Sequence, residues 1–206
     1  MRNRSTLWYW LMILWLGLGS PARAASVLAV TTDQLVNDSA LIFDGRVSRL
    51  EVVEQPGSRL LHTLVTFEIL DRLKGVDPGP TLELRFLGGA KGERSLVVSD
   101  LRLPAMGERG LYFVEQLDRP QVNPLLGWDQ GRLLSGRDPT SGAEQVVTPS
   151  GRPVFAFGSR RGPVTGLAKE GAQGVRLNAQ NALERPLTLE ELKQQVRAIL
   201  SAGKQP

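Results

Sequence analysis

The chain has 206 residues with 25 basic and 21 acidic side chains, one histidine and no cysteine. The lack of cysteine excludes disulfide bonds, thiol nucleophiles, thiolate metal sites, cysteine-linked haem and a bacterial lipid anchor on cysteine. Because Arg2, Arg4 and Arg23 all lie in the first 24 residues, the remaining chain has 22 basic and 21 acidic groups, a balance that gives no argument for a nucleic acid or an anionic membrane as partner.

The first 24 residues have the three parts of a secretory signal peptide. Two arginines form the basic start, residues 7–18 form an uncharged apolar run, and residues 22–24 (ARA) have the form of an A-x-A cleavage site. The apolar run is shorter than the roughly 20 residues of a membrane-spanning helix. We therefore expect export, cleavage between Ala24 and Ala25, and a periplasmic or secreted protein with no membrane attachment once the signal is removed.

Residues 41–148 contain short runs of β-branched and aliphatic residues, separated by turns rich in glycine and proline. This spacing, without a regular alternation of strands and helices, predicts a small antiparallel barrel or sandwich. In the clearest run, every second residue from Leu61 to Ile69 is apolar or threonine, which indicates one buried face. The predicted strands are 41–53 with a bulge or close approach at Gly45, 60–70, 81–87, 95–98, 110–115 and 145–148, with a turn at 71–75 and a hairpin joining 125–128 to 132–134.

The last third of the chain changes character. Residues 151–174 are rich in glycine and proline, which is typical of a loop or a partly disordered connector. Thr188 and Glu191 then have the spacing of a capping box at the start of an amphipathic helix. The sequence thus predicts a mainly β fold. It has a signal peptide (1–24), a β-barrel domain (25–150), a connector (151–186) and a C-terminal helix (187–203) that packs on the barrel.

Several segments resemble an uncharacterised group of exported bacterial proteins. The matching segments are ALIFDGRVSRLE (40–51), HTLVTFEILDRLKG (62–75), LELRFLGG (82–89), MGERGLYFVE (106–115), LLGWDQGRLL (125–134) and RPLTLEELKQQVRAIL (185–200). The resemblance implies an OB-like or TIMP-like β-barrel and a binding or accessory role, in some members beside matrixin-like metalloproteases. It carries over no catalytic residue. A TIMP-type inhibitor inserts an N-terminal cysteine at the protease metal, and this chain has Ala25 at that place.

Two groups of residues are candidates for ligand binding. Trp128 is the sole tryptophan after residue 24, and with Asp129 beside it forms an aromatic platform with hydrogen-bonding neighbours, a pattern that suits a carbohydrate-like ligand. A core or rim aromatic at the end of a strand is the alternative interpretation. Arg160 and Arg161 lie in a glycine-rich segment, where they could hold an anionic polymer or an acidic partner, or belong to a solvated loop.

The sequence contains no motif that identifies a reaction. His62 has no nucleophile motif beside it, so we expect a surface or edge histidine, and we predict no catalytic residue, metal site or cofactor. The function that we expect is an exported, non-enzymatic binding or accessory module of the bacterial envelope. Its partner would be a protein, such as an exported metalloprotease, or an envelope component. The alternatives are a carboxylate-based hydrolase and a protease-associated inhibitor or accessory protein.

Overall fold

The structure, a computed structural model, describes residues 28–158 and 171–203. These residues form a mainly β fold, with a six-stranded antiparallel sheet in the order β3-β2-β1-β6-β7-β8 and two helices, which confirms the expected fold class. The elements are α1 (Thr32–Asp38), β1 (Leu41–Glu54), β2 (Leu61–Lys74), β3 (Thr81–Leu87), β4 (Gly89–Lys91), β5 (Arg94–Leu96), β6 (Arg109–Val114), a 3₁₀ turn (Trp128–Gly131), β7 (Arg132–Arg137), β8 (Glu144–Val147), β9 (Ala156–Phe157), β10 (Val175–Arg176) and α2 (Leu189–Ala202). Within the described ranges, β3 and β8 are the two edges of the sheet and the strand pairing does not close into a barrel. The predicted signal peptide, with Ala24 and Ala25, lies outside these ranges.

The long strands β1 and β2 form a bent ribbon. Residues 42–46 of β1 pair with both β2 and β6, whereas the later part of β1 pairs with β2 alone. Three shifts of register interrupt the pairing, one of them between Asp44 and Gly45, and such bulges bend a strand. A Cβ atom at Gly45 would lie 2.6 Å from Cε2 of Phe43, so the bulge and close approach predicted at this glycine are confirmed.

The sheet is covered by apolar side chains on both faces at β1 and β6. On one face Ile42 and Phe113 belong to a buried cluster with the apolar residues of α1 and α2. On the other face, Phe43, Phe67 and Tyr112 form an aromatic cluster with ring centroids 4.7 to 5.4 Å apart. Burial of each such side chain stabilises the fold by about 1.5–3 kcal/mol, so the two clusters hold β1 and β6 at the centre of the molecule.

The C-terminal helix α2 begins where the sequence predicts. Thr188 and Glu191 form the capping box, with the Glu191 amide donating to Oγ1 of Thr188 and the Thr188 amide donating to Oε2 of Glu191. The apolar stripe of α2 belongs to the core cluster on the first face of the sheet. Lys193, on the same helix, reaches the buried carboxylate of Asp44 on β1 at 3.4 Å, so the helix is held to the sheet by both apolar contact and charge.

The predicted turn at 71–75 is wrong, because β2 continues to Lys74. Residues 71–74 have turn-like polarity, yet each polar group has a partner in the fold. Asp71 forms ion pairs with Lys193 and Arg197 of α2, and Nζ of Lys74 donates to the carbonyl groups of Val36 and Asn37 at the end of α1. Tertiary contacts with both helices therefore extend the strand beyond its apolar part.

The predicted hairpin between 125–128 and 132–134 is also wrong. Leu125 bridges to Val114 and Arg132 pairs with Tyr112, so the two segments lie end to end along the same side of β6 rather than side by side. Residues 126–131 loop out between them as the 3₁₀ turn, with Trp128 in the left-handed region at φ 60°.

The glycine- and proline-rich residues after 150 contribute to the core where the structure describes them. Val154, Phe157 and Ala172 are buried in the cluster beneath α2, and β9 pairs with β10. No helix in the described part of the chain has the length and apolar character needed to cross a bilayer.

Candidate functional site

The first predicted site surrounds Trp128 and Asp129 at the 3₁₀ turn. Both side chains are half-buried, and they lie next to each other as the sequence requires. The neighbouring Gln130 is buried, and its amide group is bonded to the segment that precedes α1. Oε1 accepts from the Val30 amide at 2.9 Å, and Nε2 donates to the Leu28 carbonyl at 3.0 Å. This side chain therefore fastens the start of the described chain to the turn.

Arg132 gathers two carboxylates beneath the turn. Its side chain is 2% exposed and donates to Glu108 at 3.0 Å, to Asp129 at 3.1 Å and to the carbonyl of Arg102 at 2.7 Å. Tyr112 donates its hydroxyl to the same Glu108 carboxylate at 3.0 Å. Burial raises the pKa of Asp129, and the opposing attraction of Arg132 does not cancel that effect. Burial and the Glu108 charge likewise raise the pKa of Tyr112.

The polar groups at this site are thus largely engaged within the protein. The Asp129 carboxylate binds Arg132 and lies 3.9 Å from Nε of Arg102, so its capacity for a carbohydrate hydroxyl is small. The structure brings Trp128 and Asp129 together. The other two predicted site residues, Arg160 and Arg161, lie outside the described residues.

A second site, which is not among the sequence-based predictions, lies beside the edge strand β3. A groove of about 300 Å³ separates this strand from the loop after β6, and we call it the β3 groove. Its volume is at the lower end of the range for ligand sites, about 300–1,000 Å³. Its walls carry both charges and apolar groups. The lining residues are Glu83, Leu84 and Arg85 on one side and 116–121 with Pro124 on the other.

Two buried polar atoms in the groove walls have no hydrogen-bond partner: Nε of Arg85 and Oε1 of Gln121. One is a donor and the other an acceptor, and an unsatisfied buried polar group costs about 1–3 kcal/mol. The remaining contacts of Arg85 lead away from the groove, since its Nη2 approaches Gln55 at 3.1 Å and Nδ1 of His62 at 3.0 Å. Both atoms are shielded from solvent, so this unused hydrogen-bonding capacity lies within the groove walls and not on their open surface.

His62 is neither a surface nor an edge residue, contrary to the sequence-based expectation. It is 7% exposed and lies on β2, between β1 and β3. Desolvation, with the nearby Arg85 charge as a second cause, lowers its pKa. The period-2 pattern puts His62 on the face opposite Leu61 and Val65, and only the neighbouring strands show that this part of that face is covered.

The β3 groove had a weak signal in the sequence. Thr81–Leu87 follows two prolines, Pro78 and Pro80, and carries Glu83 and Arg85 on the face opposite its buried residues. Charged residues and flanking prolines are common at sheet edges, where they discourage aggregation. That pattern could have predicted an edge strand, although not the loop that forms the opposite wall.

No cluster of three or more metal-ligating side chains occurs among residues 28–158 and 171–203. No protein-family model matches this chain, and no curated protein or solved structure is significantly similar to it.

Proposed function

We propose that this chain is an exported, non-catalytic binding module of the bacterial envelope that recognises a partner protein or an envelope component. Export is supported by the signal-peptide form of residues 1–24. The β3 groove carries the binding part of the proposal, because it is a concave surface beside an edge strand, with charged and apolar lining residues.

The composition of the groove supports a polypeptide partner over an anionic polymer. Glu83 and Asp118 balance Arg85 and Arg119, so the lining has both signs and no net positive field. Leu117 adds an apolar contact, being 50% exposed at the rim. For the fold we propose an OB-like relationship, supported by the long, bent strand β1 between β2 and β6.

Site-specific photo-crosslinking in the envelope tests this proposal. A photoreactive amino acid replaces Leu117 in the β3 groove, and a matched variant carries it at Leu183, which is exposed and outside the groove. We expect a discrete crosslinked product from position 117 and none from position 183. Equal products from both positions, or none from either, would contradict the proposal.

The carboxylate-based hydrolase is the second candidate, and the Arg132 cluster is the observation that favours it. Glu108 and Asp129 converge on one arginine, and burial raises the pKa of Asp129 as a general acid requires. If this candidate is correct, Glu108→Gln should abolish the hydrolysis of envelope polymers by the purified protein. The third candidate, a protease-associated inhibitor or accessory protein, predicts that the crosslinked partner is an exported metalloprotease.

A further inference from the structure

The main-chain groups of β3 point alternately toward β2 and toward the β3 groove. Gly88 donates its amide to the Leu61 carbonyl at one end of the β2–β3 pair, and Ile69 donates to the Pro80 carbonyl at the other. In an antiparallel pair the hydrogen-bonded positions recur at every second residue, so Leu82, Leu84 and Phe86 face β2. The amide and carbonyl groups of Thr81, Glu83 and Arg85 consequently point away from the sheet.

One of these outward positions already has a partner. Leu87 donates its amide to the Val122 carbonyl at 2.8 Å, which joins the end of β3 to the loop after β6. Among the described residues, no main-chain group forms a hydrogen bond with the outward amide or carbonyl of Glu83 or of Arg85. The strand therefore presents a row of open donors and acceptors along one wall of a groove whose far end is closed at Leu87.

We infer that the β3 groove binds an extended segment of a partner protein, which adds a strand to the edge of β3. The inference rests on the proposed binding function and specifies its ligand. An extended polypeptide presents amide and carbonyl groups at the two-residue repeat that Glu83 and Arg85 require.

Charge specifies the segment further. Glu83 and Arg85 lie two residues apart, and therefore on the same face of the strand. Residues directly opposite each other in paired strands favour opposite charges. The segment should therefore carry a basic residue opposite Glu83 and an acidic residue opposite Arg85, two positions apart.

A second copy of this chain fits the groove less well than a single segment. Pairing of two β3 strands along their whole length would need the outward amide of Leu87, which the Val122 carbonyl already occupies. The loop at 116–121 also stands beside β3 and leaves a groove rather than an open sheet edge. A single extended segment that is not part of a folded domain can enter the groove without a clash with this loop.

The test begins with a random dodecapeptide library displayed on phage and selected against residues 25–206. We expect enriched peptides with an acidic and a basic residue two positions apart. Glu83→Pro removes one outward amide and keeps the β2–β3 hydrogen bonds, and Glu83→Ala is the matched control that keeps the amide. Binding of the most enriched peptide, measured by fluorescence anisotropy, should weaken about tenfold or more in the proline variant and less than about threefold in the control.

Hydrogen exchange of the wild-type protein provides a readout that does not depend on the folding of Glu83→Pro. The peptide should slow the exchange of the Glu83 and Arg85 amides, whereas the Leu84 amide should already be protected without it. The absence of enriched peptides, or unchanged exchange at both residues, would overturn the inference. So would a dimer of the chain that protects these amides without peptide. If such a result were found while position 117 still gave a crosslinked product, the proposed binding function would stand and only the strand-addition inference would be rejected.

Discussion

Arg85 donates a hydrogen bond from Nη2 to Nδ1 of His62 at 3.0 Å, and this contact joins the one histidine of the chain to the wall of the β3 groove. Arginine has only donors, so Nδ1 accepts and the neutral imidazole carries its proton on Nε2. Protonation of His62 would remove this acceptor and place two positive charges side by side. Desolvation and then the Arg85 charge accordingly lower the pKa of His62 below its ordinary value of 6.5.

Stability should fall in mildly acidic solution because of His62. The unfolded chain binds a proton near pH 6.5, whereas the folded protein does so only at lower pH, so the free energy of unfolding decreases as the pH drops below 6.5. His62→Gln removes this titration. The decrease in melting temperature from pH 7.5 to pH 5.5 should be smaller in the variant than in the wild type. An identical decrease in both would show that the contact does not govern the response.

Asp44 should be a principal electrostatic support of the C-terminal helix. Its carboxylate is 1% exposed, accepts two hydrogen bonds from Arg109 at 2.9 and 3.2 Å, and lies 3.4 Å from Nζ of Lys193. Asp44→Ala removes the carboxylate that Arg109 contacts, whereas Lys193 keeps its ion pairs with Asp71 and Glu190. We expect the free energy of unfolding in urea to fall by about 1.5–3 kcal/mol, the range for hydrogen bonds to charged groups. Arg197→Ala is the control, because Arg197 forms an exposed ion pair with Asp71 worth less than about 1 kcal/mol. Similar decreases in the free energy of unfolding for Asp44→Ala and Arg197→Ala would show that the buried carboxylate contributes no more than the exposed ion pair.

Asp129→Asn should stabilise the protein at pH 8. Burial raises the pKa of this acid, so its stabilising form is the protonated one, and stability is lost as the pH rises from 3.8 through the folded-state pKa. The gain in melting temperature should therefore shrink toward pH 4. Asp138→Asn is a control of opposite sign, because the amide and hydroxyl of Ser141 lower the pKa of Asp138 and ionisation there is stabilising. A lower melting temperature for Asp129→Asn at pH 8 would count against this prediction.

The two faces of β2 should respond differently to charge. Val65 is fully buried in the same core cluster as Phe67, so Val65→Asp places an unpaired carboxylate in the core. It should cost at least about 3 kcal/mol, a large part of the roughly 5–15 kcal/mol by which an ordinary domain is stable. Glu68 is exposed on the opposite face, and Glu68→Lys should change stability by less than about 0.5 kcal/mol. Circular dichroism during urea unfolding measures the stability of both variants. Equal stability of the two would mean that Val65 and Glu68 do not lie on opposite faces of β2 as described.

Local chemistry was sufficient to predict several elements. The alternation from Leu61 to Ile69 predicted the buried face of β2, because a strand turns successive side chains to opposite sides whatever surrounds it. The capping box of Thr188 and Glu191 predicted the start of α2 for a similar reason, since its hydrogen bonds join residues three apart. The glycine at position 45 within a run of strand-forming residues likewise predicted the bulge in β1. In each case the interacting groups lie within a few residues of one another.

Long-range pairing decided the remainder. The extension of β2 to Lys74 depends on carbonyl groups of α1 and charges of α2. The loop at 126–131 forms because Leu125 and Arg132 both pair with the same side of β6. His62 is buried beside Arg85 of the adjacent strand. The β3 groove exists because the loop after β6 reaches Leu87 and leaves Glu83 and Arg85 without main-chain partners. No local pattern contains these partners, because residues tens of positions apart meet only when the sheet assembles.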